Sequence, residues 1–295
     1  MKQSPVLNVK NLRVAFKSAN GLNEVLHGIS YQLYSNEILG FVGESGSGKS
    51  VASLAIMGLL SLRNGDKSSG EIIFNRENLI DYSQKQLEKI RGKKIAMIFQ
   101  EPMSALNPSI CCGKQVEEIL LQHNNITLKE AKEEVINLFN AVKIPESKIT
   151  YRKYPHEISG GQQQRVMIAM AIACKPEILI ADEPTTALDV TVQKEIVTLI
   201  KTLQKDYKMS VIFISHDLAL VSEIADRIIV MYNGDIVEKG TTKSIFETPQ
   251  KKYTKALIGS RPTLKDRLKT LPTISDFLLG IIPKELITKK ARKER

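Results

Sequence analysis

Gly43-Glu44-Ser45-Gly46-Ser47-Gly48-Lys49-Ser50 reads G-x-x-x-x-G-K-S and lies between an apolar run at 38–42 and a helix-like run at 51–60. A strand, a glycine-rich loop and a helix in this order form a phosphate-binding loop. In such a loop, backbone N–H groups and the helix N-terminus face the anion. Lys49 then reaches the outer phosphates, and the Ser50 hydroxyl ligates Mg²⁺. We therefore expect this loop, with the adjoining Val51, to bind a nucleoside triphosphate.

The charge of the chain is concentrated at one end. The 295 residues carry a formal charge of +10, but residues 1–238 have 27 basic and 27 acidic side chains, whereas residues 239–295 have 15 basic and 5 acidic ones. The main body is therefore neutral. A basic C-terminal segment can bind RNA, anionic lipid or an acidic partner. It can equally be a solvated tail without a partner.

The cysteines and the apolar segments favour a cytosolic protein. Three cysteines, Cys111, Cys112 and Cys174, cannot form a disulfide framework, and there is no C-x-x-C pair. The N-terminal residues lack the apolar core of a signal peptide, and no run of 18 apolar residues occurs. Apolar residues make up 42% of the chain, which is enough for a sizeable core.

The hydrophobic periodicity predicts an α/β fold with two additions. Two strand-like stretches precede the loop and predict an antiparallel β subdomain, and apolar strands at 94–99, 178–181, 211–214 and 227–232 alternate with helices. This alternation indicates a mostly parallel sheet in a P-loop NTPase core. Residues from about 101 to 155 read as helices alone, so we expect an inserted all-helical subdomain there. The expected domains are 1–260 and a basic tail, 261–295.

Two acidic residues end one of the apolar strands. Asp182 and Glu183 directly follow Ile178–Ala181. We expect this strand to lie beside the strand that leads into the loop, so that Asp182 reaches the Mg²⁺ side of the phosphates. Glu183 can then accept a proton from an attacking water.

A second anion-binding surface is predicted at Ser159-Gly160-Gly161-Gln162, at the start of a long helix. Its exposed N–H groups can hold phosphate. One chain would then have two phosphate-binding surfaces and one nucleotide-binding lysine. The presence of two such surfaces in one chain is explained if the second surface closes onto the loop of a partner subunit.

The series of motifs resembles the ATP-binding subunits of ABC transporters over about residues 5–260. In that family S-G-G-Q is the signature motif and follows Leu, where this chain has Ile158. The resemblance implies that Gln100 touches Mg²⁺ and reports to a transmembrane partner, that Glu183 is the general base and that His216 contacts the γ-phosphate. It also implies that residues 187–189 form the D-loop and that Phe16 stacks on adenine. For Phe16 a plain packing role in its strand remains open.

The candidate site residues fall into three groups. We expect Lys49, Glu183 and His216 to be catalytic, and Ser50, Gln100 and Asp182 to ligate the metal. We expect the nucleotide to be bound by Phe16, Gly43, Glu44, Ser45, Gly46, Ser47, Gly48, Lys49, Ser50, Val51, Gln100, Ser159, Gly160, Gly161 and Gln162.

Longer motifs are similar to the oligopeptide, dipeptide and nickel import ATPases of the same family. They are the stretches at 100–108, 154–157, 165–171 and 181–191. Two features depart from that group. Its His-Pro-Tyr element is replaced here by the stretch around Tyr253, and no cysteine follows Cys174, so we expect no iron–sulfur cluster.

The resemblance implies an ATPase with ATP and Mg²⁺ as ligands, which powers an importer, for peptides by subgroup. Its implied partners are a second ATPase subunit (identical or different), a transmembrane permease and a periplasmic or lipid-anchored solute-binding protein, with no nucleic acid. The implied location is the cytoplasmic face of the inner membrane. Three alternatives stay open: an exporter subunit, a soluble ATPase of this superfamily that acts on nucleic acid or the ribosome, and a non-catalytic regulatory subunit. The intact Lys49, Glu183 and His216 argue against the last.

Overall fold

A computed structural model describes residues 4–18, 21–60, 67–100, 105–186 and 188–260. The predicted basic tail at 261–295, the first part of the predicted helical insert at 101–104, and Ala187 of the expected D-loop lie outside these ranges. None of the helices within them has the length and apolar character that crossing a bilayer requires.

The described residues form ten strands in two sheets. In chain order the strands are β1 (Pro5–Ser18), β2 (Gly21–Tyr34), β3 (Ile38–Val42), β4 (Lys67–Phe74), β5 (Glu77–Asn78), β6 (Ile95–Ile98), β7 (Ile178–Asp182), β8 (Ser210–Ile214), β9 (Arg227–Tyr232) and β10 (Asp235–Thr241). The first sheet is antiparallel with the order β2-β1-β4-β5. The second has the order β10-β9-β3-β8-β7-β6, in which β10 alone is antiparallel to its neighbour.

Helices connect the parallel strands. In chain order they are α1 (Lys49–Ile56), α2 (Gln84–Ile90), α3 (Cys112–His123), α4 (Leu128–Ala141), α5 (Ser147–Thr150), α6 (Gly160–Ile172), α7 (Val190–Tyr207), α8 (Leu218–Ile224), α9 (Thr242–Glu247) and α10 (Lys252–Gly259). Short 3₁₀ turns occupy Leu79–Asp81 and Pro155–Glu157. Between β6 and β7 the described part of the chain contains helices and no strand. The predicted fold class, a P-loop α/β core with an antiparallel sheet and added helices, is confirmed.

Both faces of the parallel sheet are covered. The side chains of β3 alternate: Leu39 and Phe41 belong to the core shared with α1 and the antiparallel sheet, whereas Ile38 and Val42 belong to the core shared with α3, α4 and α6. The central strands β3, β7 and β8 are buried at every position, which explains their continuous apolar sequences.

Local sequence signals place several element ends. The spacing of Ser83 with Gln86 and of Thr127 with Glu130 predicts two capping boxes. Both are present: Thr127 accepts a hydrogen bond from the Glu130 N–H at 3.3 Å, and Gln86 accepts one from the Ser83 N–H at 2.9 Å. The Asn233-Gly234 pair predicts a hairpin turn between β9 and β10. These two residues have φ values of 43° and 80°. Positive φ at both central residues is typical of a type I′ hairpin turn.

One expectation about the sheet is wrong. We expected β7, which carries Asp182, to lie beside β3, but β8 lies between them. Asp182 nevertheless reaches the loop because α1 lies across the sheet and contacts β7, which brings Ser50 at the start of this helix to the carboxylate. Strand order is a tertiary property, and the alternation of strands and helices in a sequence does not specify it.

Candidate functional site

The loop at 43–50 has the backbone of an anion-binding loop. Gly43, Gly46 and Gly48 have φ values of 152°, 79° and 99°, where residues with a side chain are strained. A Cβ atom on Gly43 would lie 2.2 Å from the Met231 carbonyl oxygen, and one on Gly48 would lie 2.8 Å from a Leu26 methyl group. Gly48 also precedes α1 without a side-chain cap, so the N–H groups of the first helical turn remain for a ligand.

Lys49 lies inside this loop and is only 5% exposed. Its Nζ donates to the carbonyl oxygens of Gly43 at 2.8 Å and of Glu44 at 2.7 Å, and to the Ser47 hydroxyl at 3.2 Å. Burial lowers the pKa of Lys49, while the nearby carboxylates of Glu183, Asp182 and Glu44 oppose that shift. The ammonium group is thus held among neutral acceptors that anionic phosphate oxygens can replace with a gain in charge attraction.

Residues distant in sequence support the loop from behind. Gly234 of the hairpin turn donates its N–H to the Ser47 carbonyl at 3.1 Å. Glu44 donates its N–H to the Tyr253 hydroxyl of α10 at 3.3 Å. Neither Gly234 nor Tyr253 was predicted to belong to the site. The only sequence signal for Tyr253 is its position in the stretch that differs from the His-Pro-Tyr element of the subgroup.

Asp182 lies at the end of β7 beside the start of α1. The Ser50 hydroxyl donates to its Oδ1 at 3.1 Å. Burial raises the pKa of Asp182, as does the neighbouring Glu183, while the Ser50 hydrogen bond and Lys49 act in the opposite direction. A buried carboxylate next to a second acid is disfavoured without a cation, and a divalent metal would relieve this cost.

Three side chains meet one carboxylate oxygen, Oε2 of Glu183. The Gln100 amide donates to it at 3.2 Å and the Thr186 hydroxyl at 3.1 Å. The Nδ1 atom of His216 lies 3.1 Å from the same oxygen. The structure therefore brings Gln100, Glu183 and His216 together. Thr186 also contacts Glu183 and was not predicted to belong to the site, although it lies in the motif at 181–191.

The backbone of Glu183 is in the left-handed region, with a φ of 45°. Such a conformation is uncommon for a residue with a side chain and costs free energy, so the surroundings must hold it. Here the Glu183 N–H donates to the Ile214 carbonyl of β8 at 3.0 Å, and its own carbonyl accepts from the Thr186 N–H at 3.1 Å. These bonds direct the carboxylate towards Gln100 and His216.

His216 follows β8 and is exposed, with 64% of its side chain accessible compared with 15% for Glu183. The buried Ser215 before it donates its N–H to the Phe41 carbonyl at 3.1 Å and accepts the Asp217 N–H on its hydroxyl at 3.0 Å. The backbone on both sides of His216 is thus fixed while the imidazole faces open space beside Glu183.

Phe16 and Val51 are the remaining residues predicted to bind the nucleotide. Phe16 lies near the end of β1, half-buried against the core of the antiparallel sheet, and Val51 is half-buried in α1 against the same core. The assignment of Phe16 to adenine and of Val51 to the nucleotide stays a prediction.

The surface predicted at 159–162 lies at the start of α6. Ser159 and Gln162 cap the helix reciprocally, with bonds of 3.0 and 3.3 Å. Gly160 has no heavy atom within 4 Å of the position a Cβ would take, so its backbone is open to a large ligand. The described hydrogen bonds of Ser159 and Gln162 are local to this turn and do not reach the loop at 43–50.

An apolar groove of about 560 Å³ lies near Gln100. Its exposed apolar members include Leu59 and Phe99, and Phe99 is 41% exposed although it is a large aromatic residue. The groove is lined by residues of β6, α3 and α6 and of the segments that follow α1, α2 and β6, which are Met57, Leu59, Arg91, Gly92, Ala96, Met97, Phe99, Ala105, Ile119, His123, Met167, Met170 and Ala171.

The residues of the site fit a magnesium nucleotide. The loop backbone forms a cradle in which added Cβ atoms at Gly43 and Gly48 would collide with the protein. Ser50 and Asp182, in contact with each other, and Gln100 offer hydroxyl, carboxylate and amide oxygens, which are the ligands that Mg²⁺ prefers.

Comparisons with known proteins point to one family. The family described as ABC transporter matches residues 26–186. The dipeptide transport ATP-binding protein DppD of Bacillus subtilis (strain 168) is 48% identical over 259 residues, which are 88% of this chain and 77% of that protein. The oligopeptide transport ATP-binding protein OppD of the same organism is 48% identical over 260 residues, 88% of this chain and 73% of that protein.

Solved structures agree with this result. A dimeric post-hydrolysis structure of the ATP-binding cassette MJ0796 bound to ADP and Pi is similar with a TM-score of 0.72 and 28% identity. The match covers 80% of this chain and 98% of that chain.

Fold and site together define a P-loop ATPase with an added antiparallel sheet. Within that class, the chain belongs to the ABC transporter family. The resemblance seen in the sequence, including the similarity to peptide import ATPases, is therefore confirmed, as is the prediction of an ATP-hydrolysing subunit.

Proposed function

We propose that this chain hydrolyses ATP to power the import of peptides through a membrane permease. The observation that carries the proposal is the convergence of Gln100 and His216 on Glu183, next to the loop that holds Lys49. Gln100, Glu183 and His216 come from separate parts of the chain. A loop with a purely structural role would not require these three side chains to be in contact. The peptide cargo rests on the relatives, whose names describe dipeptide and oligopeptide transport.

The loop at 43–50 holds the phosphates. Its N–H groups and the start of α1 bind the phosphate oxygens, and Lys49 exchanges its carbonyl partners for the outer phosphates. Ser50, Asp182 and Gln100 hold Mg²⁺, which supplies positive charge against the phosphates when bound. Phe16 stacks on the adenine ring.

Glu183 activates the attacking water. Its carboxylate takes a proton from the water, whose oxygen forms a bond to the γ-phosphorus while the bond to the ADP oxygen breaks. Lys49 and His216 stabilise the charge on the transferring group. Gln100 and Thr186 hold Oε2 of Glu183 in place, which keeps the carboxylate aimed at the water.

A second ATPase subunit completes the site. Ser159, Gly160, Gly161 and Gln162 present an open helix start that has no hydrogen bond to the described part of the chain's own loop. Each ATP is then held between the loop of one subunit and the 159–162 surface of the other, so that ATP binding closes the pair and hydrolysis reopens it.

The apolar groove receives a cytoplasmic helix of the permease. Phe99 lines this groove, and the next residue, Gln100, donates to Glu183. A partner seated against Phe99 therefore acts on the backbone that positions a catalytic contact. The chain works peripherally at the cytoplasmic face of the inner membrane, with a periplasmic or lipid-anchored solute-binding protein upstream and no nucleic acid as partner.

Isolation of the native complex tests this function. We expect permease subunits and a solute-binding protein to co-purify, and peptides to stimulate the ATPase activity of the reconstituted complex. A complex with Glu183→Gln is the matched control, because it should assemble equally and show no stimulated turnover. Ribosomes or DNA in place of a permease would overturn the proposal, and peptide efflux in place of uptake would make the chain an exporter subunit.

A further inference from the structure

We propose that Tyr253 is a positioning residue of the nucleotide-binding loop, which its hydroxyl orients through the Gly43–Glu44 peptide unit. The inference rests on the proposed nucleotide site, and it does not depend on the direction of transport or on the cargo.

One peptide plane links Tyr253 to Lys49. The carbonyl oxygen of Gly43 and the N–H of Glu44 belong to the same peptide unit and point in opposite directions. The carbonyl accepts from Lys49 Nζ at 2.8 Å, and the N–H donates to the Tyr253 hydroxyl at 3.3 Å. Rotation of this plane would break both bonds, so Tyr253 fixes the carbonyl that holds the ammonium group of Lys49.

The Tyr253 hydroxyl is itself well fixed. The side chain is 6% exposed, and its ring packs against Tyr232 of β9 with centroids 4.4 Å apart. Burial raises the pKa of Tyr253 to about 12, opposed by the hydrogen bond from Glu44, so the phenol stays protonated at physiological pH. A neutral hydroxyl of this kind can accept from an N–H without bringing a negative charge near the phosphates.

The helix that carries Tyr253 is anchored to the sheet. Glu238 of β10 accepts the N–H groups of Gln250 at 2.8 Å and Lys251 at 3.1 Å, just before α10 begins. Tyr253 is therefore held from two sides, by its ring partner in β9 and by the start of its own helix. An acceptor with so little freedom can orient a flexible glycine-containing loop before nucleotide arrives.

Orientation of the loop before ATP arrives affects the affinity for ATP more than it affects the rate of the chemical step. Once ATP is bound, the phosphates hold Lys49 directly, so the Tyr253 contact matters chiefly for the free loop. We expect Tyr253→Phe to raise the Kd for ATP by about three- to tenfold, the range expected for one hydrogen bond. KM should rise by a similar factor, while kcat should stay within about twofold.

Tyr232→Phe is the matched control, because it removes the other hydroxyl of the same ring pair, which makes no described contact with the loop. ATP binding would be measured by calorimetry in excess EDTA, which prevents turnover, together with the Tm of the nucleotide-free proteins. Weaker binding by Tyr253→Phe alone, with unchanged Tm for both variants, supports the inference.

Three results would overturn it: unchanged binding by Tyr253→Phe, equal weakening by both variants, or weakening that accompanies a lower Tm of Tyr253→Phe. If the unsubstituted protein bound no ATP, the proposed function would fail as well. If the unsubstituted protein bound ATP and Tyr253→Phe bound it with the same affinity, this inference would be wrong and the proposed function would stand.

Discussion

Glu183 combines a strained backbone with a carboxylate oxygen that three side chains contact. The strain is held by the bond from its N–H to β8, so the direction of the side chain is set before any ligand binds. A general base needs a fixed orientation, because a small displacement of its carboxylate from the attacking water lowers the reaction rate strongly.

The Glu183→Gln substitution should lower ATP turnover at least tenfold, and by about 10² or more if proton transfer is its main role. The amide keeps the size of the side chain but cannot take a proton, so ATP binding should remain. Thr186→Val is the control, because it removes one donor to Oε2 and keeps the base, and its activity should stay within about fivefold. Steady-state phosphate release measures both. Near-normal turnover by Glu183→Gln would remove this residue from its catalytic role.

At the scale of single residues, the sequence predicts the site residues that lie together in one short motif. Lys49 and Ser50 follow from one loop motif, and Asp182 and Glu183 from one strand end. Tyr253 could not be predicted, because its contact with Glu44 joins residues 209 positions apart and depends on where α10 packs. Thr186 was missed for a related reason, since only the left-handed backbone of Glu183 turns the carboxylate back towards it.

The hairpin turn between β9 and β10 connects three parts of the molecule. Gly234 donates its N–H to Ser47 of the loop, and its carbonyl accepts from the His27 N–H of β2 at 3.2 Å. The turn thus joins the phosphate-binding loop and the antiparallel sheet to the edge of the parallel sheet. Its tight geometry leaves no room for a side chain, because a Cβ on Gly234 would lie 2.3 Å from the Val25 carbonyl.

Gly234→Ala should destabilise the nucleotide-free protein by at least about 1 kcal/mol more than Gly46→Ala does. Gly46 is a close control, since its φ of 79° matches the 80° of Gly234 while no heavy atom lies within 4 Å of its added Cβ. Both variants place an alanine at a positive φ and bear the same backbone strain. The difference between their free energies of unfolding therefore measures the collision of the added Cβ at position 234. Denaturant unfolding midpoints measure it, and equal loss in the two variants would contradict this account of the turn.

The same region should show a pH-dependent contribution to stability. The hydrogen bond to the Asp235 carboxylate, 3.1 Å from Nδ1, raises the pKa of His27 above its ordinary value, and the Glu24 carbonyl adds to this while burial opposes it. A raised imidazole pKa in the folded state stabilises the fold fully below the unfolded-state pKa. That stabilisation is lost as the pH rises through the folded-state pKa. The effect is small because 37% of the His27 side chain is exposed.

We therefore expect the Tm difference between the unsubstituted protein and His27→Gln to be larger near about pH 5 than near about pH 8. In an Asp235→Asn background this dependence on pH should shrink, because the charged partner is gone. A Tm difference that stays constant across this pH range would show that the pair does not act through protonation.

The ends of helices and strands are predicted correctly where the sequence contains a capping box or a turn motif. The Ser83 and Thr127 capping boxes and the Asn233-Gly234 turn are short-range interactions, and all three are present. The apolar run at 71–74 predicts only the second half of β4. The strand begins at Lys67, because pairing with β1 draws polar residues such as Ser68 and Ser69 into it. The place of β7 two strands from β3 likewise depends on tertiary packing.

At the scale of the whole molecule, the described side-chain hydrogen bonds of Ser159 and Gln162 stay within their own turn and do not reach the loop at 43–50. The proposed nucleotide site, in which these two surfaces come from different subunits, is consistent with that separation.

Glu183→Gln protein should form a dimer when ATP is added, because ATP is bound and not consumed. Adding Ser159→Arg should abolish that dimer by placing a long side chain at the open helix start. Ser83→Arg is the matched control: Ser83 is also the exposed N-cap of a helix with a capping box, so both changes cost about 1 kcal/mol of helix stability. Size-exclusion chromatography with and without ATP distinguishes them. Equal behaviour of the two arginine variants would remove the 159–162 surface from the interface.

The groove beside Phe99 has a consequence for inhibition. Phe99 contributes to the groove, and the adjacent Gln100 donates to the carboxylate of Glu183, the proposed general base, so a single peptide bond separates the two surfaces. If the groove receives the proposed permease helix, a small apolar molecule bound against Phe99 would compete with that helix and would leave the phosphate loop free for ATP. High cellular ATP concentrations could not displace such a compound. Its selectivity would depend on the apolar lining of this groove, which ATPases sharing only the phosphate loop need not have.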